Sequence, residues 1–149
     1  MRYFMALDAG TGSGRCVIFD EQGRQLAVSQ QEWTHKTNPQ FPGSMEFDVA
    51  KNWRILVECI QGALQTSRVA PQEIAGISAT SMREGIVLYD NVGKELWACA
   101  NVDSRATQEV IELTQLETGL EEKIYKISGQ TFSLGAIPRI LWVKKHFPA

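Results

Sequence analysis

Apolar and polar positions alternate in short runs over the first third of the chain and in longer stripes after it. Tyr3 to Leu7 and Cys16 to Phe19 are apolar runs of strand length. A glycine-rich segment separates them, and the polar turn Asp20 to Gly23 follows. A third strand is expected from about Gln25 to Trp33. Beyond the polar, proline-containing loop Thr34 to Pro42 the period changes. Trp53, Leu56, Val57, Ile60 and Leu64 fall on one face of a helix predicted over Val49 to Thr66, with Asp48 as its N-cap. Pro71 lies in the break after it. Ile74 to Ser81 is small and apolar, the pattern of a buried central strand. Gly85 to Tyr89 and Glu95 to Ala100 flank the turn Asp90 to Gly93 and predict a hairpin. Helical patterns follow from Asp103 to about Leu116, from Leu120 to Ile127, and from near Pro138, where Ile140, Leu141 and Trp142 are apolar.

Three meandering strands, a helix, a strand, a hairpin and further helices predict an α/β fold with a mixed sheet. A chain of 149 residues with 44% hydrophobic positions makes one packed domain, or part of a larger one, rather than a disordered segment. Its net charge of −2 gives no electrostatic reason to expect nucleic acid or an anionic membrane as partner. No apolar run approaches the roughly 18 residues of a spanning helix. The N-terminus runs straight into a strand, so neither a leader peptide nor a membrane span is expected. Cys16, Cys59 and Cys99 lack metal-ligand spacing and are expected to be buried free thiols of a cytosolic protein. His35 and His146 stand without clustered ligands, which argues against a zinc site or a histidine triad.

The chemistry concentrates in Asp8-Ala9-Gly10-Thr11-Gly12-Ser13-Gly14-Arg15. Glycines let a backbone turn tightly and aim N–H groups at one point. Thr11 and Ser13 supply hydroxyls, and Arg15 supplies a forked cation suited to phosphate. Asp8, at a strand end, suits a magnesium ion or its water. The segment differs from a dinucleotide fingerprint, because Arg15 replaces the third glycine and Cys16 to Phe19 favours a strand over a helix. It also differs from a Walker A loop, because Gly-Lys-Ser/Thr occurs nowhere. A nucleotide-phosphate hairpin is the reading to test against an ordinary glycine-rich turn.

A second cluster, Arg83-Glu84, lies just past the end of the Ile74 to Ser81 run, where ligands bind in open α/β sheets. The pair offers donors and acceptors to a polyhydroxylated substrate. The alternative is a solvated surface ion pair. Asp103 is open to two readings, as a cap of the helix that follows it or as a residue of a cleft.

Taken in order, Asp8 to Arg15, Arg83-Glu84, Asp103-x-Arg105 and Arg139-x-x-Trp142 resemble the N-terminal part of the FGGY carbohydrate kinases over nearly the whole chain. The resemblance implies an actin-like, ribonuclease-H-like mixed sheet with helices on both faces. Residues 1–149 would then form an incomplete first domain. It also implies ATP and Mg as cofactors, with Gly10, Thr11, Gly12, Ser13 and Arg15 at the nucleotide phosphates and Asp8 serving the magnesium. Arg83, Glu84 and Asp103 would bind the substrate, although the tryptophan common just before Asp103 is Val102 here. Family members are longer, so the catalytic aspartate is expected beyond residue 149. A C-terminal domain of the same kinase, carrying most of the adenosine site, is expected as the missing partner. The chain alone is expected to be inactive. Segments Pro42 to Asp48, Ser81 to Tyr89, Trp97 to Asp103 and Ala136 to Arg139 point, by likeness, to members acting on linear 4,5-dihydroxy-2,3-pentanedione, a quorum-signal precursor. A glycerol- or xylulose-like substrate, or a non-catalytic binding module, remain the alternatives.

Overall fold

In the computed structural model, which describes residues 2–147, the N-terminal runs form an antiparallel meander. Its strands are β1 (Tyr3–Ala9), β2 (Ser13–Asp20) and β3 (Gln25–Glu32). Asp20 closes the second turn, its carboxylate accepting from the Gln22 and Arg24 backbone N–H groups at 2.9 Å each. A 19-residue helix, α1 (Val49–Ser67), follows, and Asp48 caps it as expected, its Oδ1 accepting from the Lys51 N–H at 3.0 Å. A 3-10 turn at Pro71–Glu73 leads into β4 (Ile74–Ser81), which runs parallel to β1. The sheet order is β3-β2-β1-β4, so the sheet is mixed.

These elements make one of two compact units, Met1–His35 with Asp48–Met82. Helix α1 is its one α-helix among the described residues and covers one sheet face. Met5, Cys16 and Ile18 meet Cys59 and Ala63 there, with Val69 closing the cluster. Two expectations are corrected. The stripe that α1 buries is Asn52, Leu56, Cys59 and Ala63, so Trp53, about 100° further round the helix, is 60% exposed. Strand β4 is not central: among the described residues it pairs with β1 alone and stands at the sheet edge, with Ile77 64% exposed. Small apolar side chains allow a strand to be buried, but only neighbouring elements bury it.

The second unit, Lys36–Phe47 with Arg83–Ala149, holds the expected hairpin, β5 (Ile86–Tyr89) and β6 (Glu95–Cys99). Helices α2 (Thr107–Leu116), α3 (Leu120–Ser128) and α4 (Ala136–His146) follow, with a 3-10 turn at Phe132–Leu134 before the last. Trp97, Cys99, Ala106 and Trp142 form the core of this unit. Helix α2 begins four residues later than the pattern predicts. Asp103 does not cap it, because its carboxylate is engaged by Arg105 and by the Met45 N–H. Helix α4 starts two residues before Pro138, which is tolerated in a first turn whose N–H groups have no intrahelical acceptor. Among the described residues no helix is long and apolar enough to cross a membrane.

Candidate functional site

The glycine-rich segment is a hairpin turn between two strands, as the sequence predicts, and no helix starts there. Its Gly10 N–H donates to the Ser13 carbonyl at 2.9 Å, so the Gly10 amide is used within the turn. None of Gly10, Gly12 and Gly14 adopts a left-handed φ. The last two serve through space instead. A Cβ on Gly14 would stand 2.7 Å from Cζ3 of Trp33, whereas one on Gly12 would meet no atom within 4 Å. The turn is therefore tightly backed by Trp33 and open at Gly12.

Directly behind the turn a polar row crosses the sheet. Asp8 stands opposite Arg15 in the β1–β2 register, opposite Thr80 in the β1–β4 register, and Arg15 stands opposite Gln30 on β3. Partners in register share a face, so Thr80, Asp8, Arg15 and Gln30 line up on one side. Arg15 Nε donates to Gln30 Oε1 at 2.8 Å, which holds the guanidinium along the row. Further down the same face β1 and β2 carry Ala6, Phe4, Val17 and Phe19, all apolar, and Val28 stands opposite Val17. The row lies at the carboxyl ends of the parallel pair β1 and β4, the end at which α/β sheets bind ligands. Among the described residues no group of three or more His, Cys, Asp or Glu is gathered for a metal. A single carboxylate, Asp8, at the strand end nevertheless fits magnesium, which is commonly held by one or two carboxylates together with substrate phosphates.

In the second unit Arg83 is exposed and Glu84 half-buried. Glu84 has φ 65°, a left-handed conformation rare for a residue with a side chain and costing about 1–3 kcal/mol. It is held there through its carbonyl, which accepts from Arg139 Nη1 at 2.5 Å. Arg139 itself is 2% exposed. Glu84 lines a pocket of about 260 Å³ together with Ile124, Ser128, Gln130, Thr131 and Phe132. A smaller pocket of about 110 Å³ shares Gly135 and Pro138 with it and is lined by Asp103, Ser104, Thr107, Ser133 and Arg139. The structure thus gathers Glu84, Arg139 and Asp103 around the start of α4.

Asp103 differs from the other site candidates. Its side chain is fully buried, and Arg105 Nε and Nη2 reach Oδ2 at 2.9 and 2.7 Å. Met45 N–H adds a third bond at 2.7 Å, and Arg105 also pairs with Glu46 at 2.8 Å. The three cysteines are buried and unbridged, as expected. Burial, together with Cys59 for one and Asp103 for the other, pushes the Cys16 and Cys99 thiols up to about 11, so neither is a thiolate nucleophile at neutral pH. Sequence reasoning missed Trp33 and His35 behind the turn and Gln130 and Thr131 in the larger pocket. Their sequence contexts carry no motif. Arg139 was visible only as part of a tail pattern.

Comparison with known proteins matches residues 3–149 to the N-terminal domain of the FGGY family of carbohydrate kinases. The chain is 58% identical over 147 residues to the autoinducer-2 kinase of Salmonella paratyphi B and 57% identical over 145 residues to that of Escherichia coli SMS-3-5. These alignments cover 98% and 97% of the chain but only 28% and 27% of the two relatives. Among solved structures, the xylulose kinase of Rhodospirillum rubrum superposes with a TM-score of 0.85 at 24% identity, over 99% of this chain and 30% of that one. That likeness shows the fold, the actin-like fold of the sugar kinases. The chain belongs to the FGGY family of carbohydrate kinases, over the stretch of its N-terminal domain.

Proposed function

We propose that this chain is the N-terminal part of an ATP-dependent kinase that phosphorylates the primary hydroxyl of 4,5-dihydroxy-2,3-pentanedione in the cytoplasm, where ATP is supplied. The observation that carries the kinase reading is Asp8 opposite Arg15 directly behind an open Gly12 turn. The substrate assignment is supported by the 57–58% identity to relatives named as autoinducer-2 kinases. Because the chain spans about 28% of their length, activity is assigned to a longer protein. Residues 1–149 are its first-domain portion, and a C-terminal domain completes it.

In this reading the Gly12 N–H and the Thr11 and Ser13 hydroxyls bind nucleotide phosphate oxygens, and Arg15 offsets their charge. Gly10 shapes the turn. Asp8 would hold magnesium, which supplies neutralisation of the phosphates during transfer. On the substrate side, Glu84 accepts hydrogen bonds from substrate hydroxyls and Arg83 donates to substrate oxygens. Asp103, in the wall of the adjoining pocket, keeps that wall in place through Arg105 and Met45. Phosphoryl transfer depends mainly on positioning and charge stabilisation. By family likeness the base, an aspartate, lies outside these residues, so the 149 residues alone are expected to be inactive.

Two variants of the complete kinase separate the two proposed roles. Arg15→Ala should raise the KM for MgATP roughly tenfold, as expected for loss of a charge-assisted contact of about 1.5 kcal/mol, and leave the substrate KM near wild type. Glu84→Ala should do the reverse. The substrate is tested by turnover with the pentanedione, glycerol and xylulose. Turnover with glycerol or xylulose but not with the pentanedione would overturn the assignment.

A further inference from the structure

The Gly10–Ser13 turn is held from behind by groups outside the glycine motif. The Thr11 carbonyl accepts from the Trp33 indole Nε1–H at 3.0 Å and lies 2.7 Å from His35 Nε2. A carbonyl only accepts, so His35 carries its proton on Nε2 in this contact. The Trp33 backbone N–H reaches the next carbonyl, Gly12, at 3.0 Å. Two donors therefore converge on Thr11 oxygen, the oxygen of the central peptide of the turn.

In a trans peptide the C=O and the following N–H point in opposite directions. Drawing the Thr11 carbonyl toward Trp33 and His35 thus turns the Gly12 N–H to the opposite side, and Gly12 is the open position of the turn. The central peptide of a β-turn is its adjustable part, because type I and type II turns differ by a flip of that peptide. Neither Thr11 nor Gly12 has the left-handed φ of the turns that suit hairpin twist, so the turn geometry is not self-enforcing. A flip would present the Thr11 oxygen, instead of the Gly12 N–H, to whatever occupies the tip.

We propose that Trp33 and His35 are positioning residues for nucleotide binding: they lock the Thr11–Gly12 peptide with its N–H turned toward the phosphate. The inference rests on the phosphate-hairpin reading above and deepens it. Neither side chain touches the nucleotide; both act through the Thr11 carbonyl. His35 is the cleaner probe, because it is only partly buried whereas Trp33 packs against Gly14.

The test uses the complete kinase with MgATP and an alcohol acceptor. His35→Phe keeps a ring and removes the donor, and His35→Gln keeps an N–H at similar reach. Trp33→Phe is the companion variant, and Arg15→Ala reports on the hairpin itself. The expected result is a KM for MgATP raised about 5-fold by His35→Phe, restored to within about twofold by His35→Gln, with the acceptor KM unchanged. An unchanged nucleotide KM in His35→Phe, while Arg15→Ala raises it, would overturn the positioning role and leave the phosphate reading standing. An unchanged value in both would remove the phosphate reading as well. A rise in both KM values together with a lowered unfolding midpoint, not rescued by glutamine, would make His35 merely structural and also overturn the proposal.

Discussion

Arg105 is a tightly constrained charge of its unit. Its side chain is 1% exposed, and its guanidinium carbon lies 5.1 Å from the Trp97 ring centroid and 4.9 Å from that of Trp142. Burial alone would make the guanidinium easier to neutralise. Its bonds to Asp103 and Glu46 outweigh that and hold it firmly protonated. Removing one member of a buried pair leaves the other charge uncompensated, and Asp103 has no exposed side-chain surface with which to reach water. Arg105→Met should therefore destabilise the chain by about 3–5 kcal/mol in urea unfolding. A loss of under about 1 kcal/mol, the value of a surface pair, would mean that water enters the cluster. The same geometry qualifies the reading of Asp103 from its sequence position. A carboxylate with this many partners organises a pocket wall before it does anything else.

Among the elements, the β1–β2 hairpin carries the clearest constraint. Strand β2 crosses Trp33 at Gly14, where even a methyl group would come within 2.7 Å of the ring. Trp33 is 5% exposed and tethered at its indole nitrogen, so it has little freedom to retreat. Gly14→Ala should cost about 1–3 kcal/mol, the usual range for overpacking, and displace the turn as well. Thermal unfolding measures the cost, and weakened MgATP binding by the complete kinase would reveal the displacement. An alanine variant as stable as the parent would show that the ring moves freely and does not support the turn.

On the scale of the whole chain, apolar side chains remain uncovered in both units. Ile77 on β4 is 64% exposed, and Ile127 on α3 is 88% exposed. An uncovered strand edge and large exposed aliphatics favour association. Ile77→Lys and Ile127→Lys together should raise the monomer fraction of the 149-residue chain in sedimentation velocity. The expected change in stability is within about 0.5 kcal/mol per site, as for surface positions. A clear loss of stability would mean that one of these side chains is packed in solution.

The sequence by itself determined what depends on neighbours along the chain. The β1–β2–β3 meander, the Asp48 cap of α1, the β5–β6 hairpin and the glycine-turn motif are written in local period, turn residues and spacing, and they stand where the pattern puts them. The family resemblance, which rests on ordered motifs, was legible for the same reason. Tertiary structure alone decided what depends on distant partners. It put Asn52 rather than Trp53 in the core, because helix rotation is set by the sheet beneath. It made β4 an edge, because strand order is a long-range choice. It engaged Asp103 with Met45 across 58 residues of chain, and brought Trp33 and His35 behind a turn more than 20 residues earlier. Such contacts form only when the chain folds back on itself, and no local pattern encodes them.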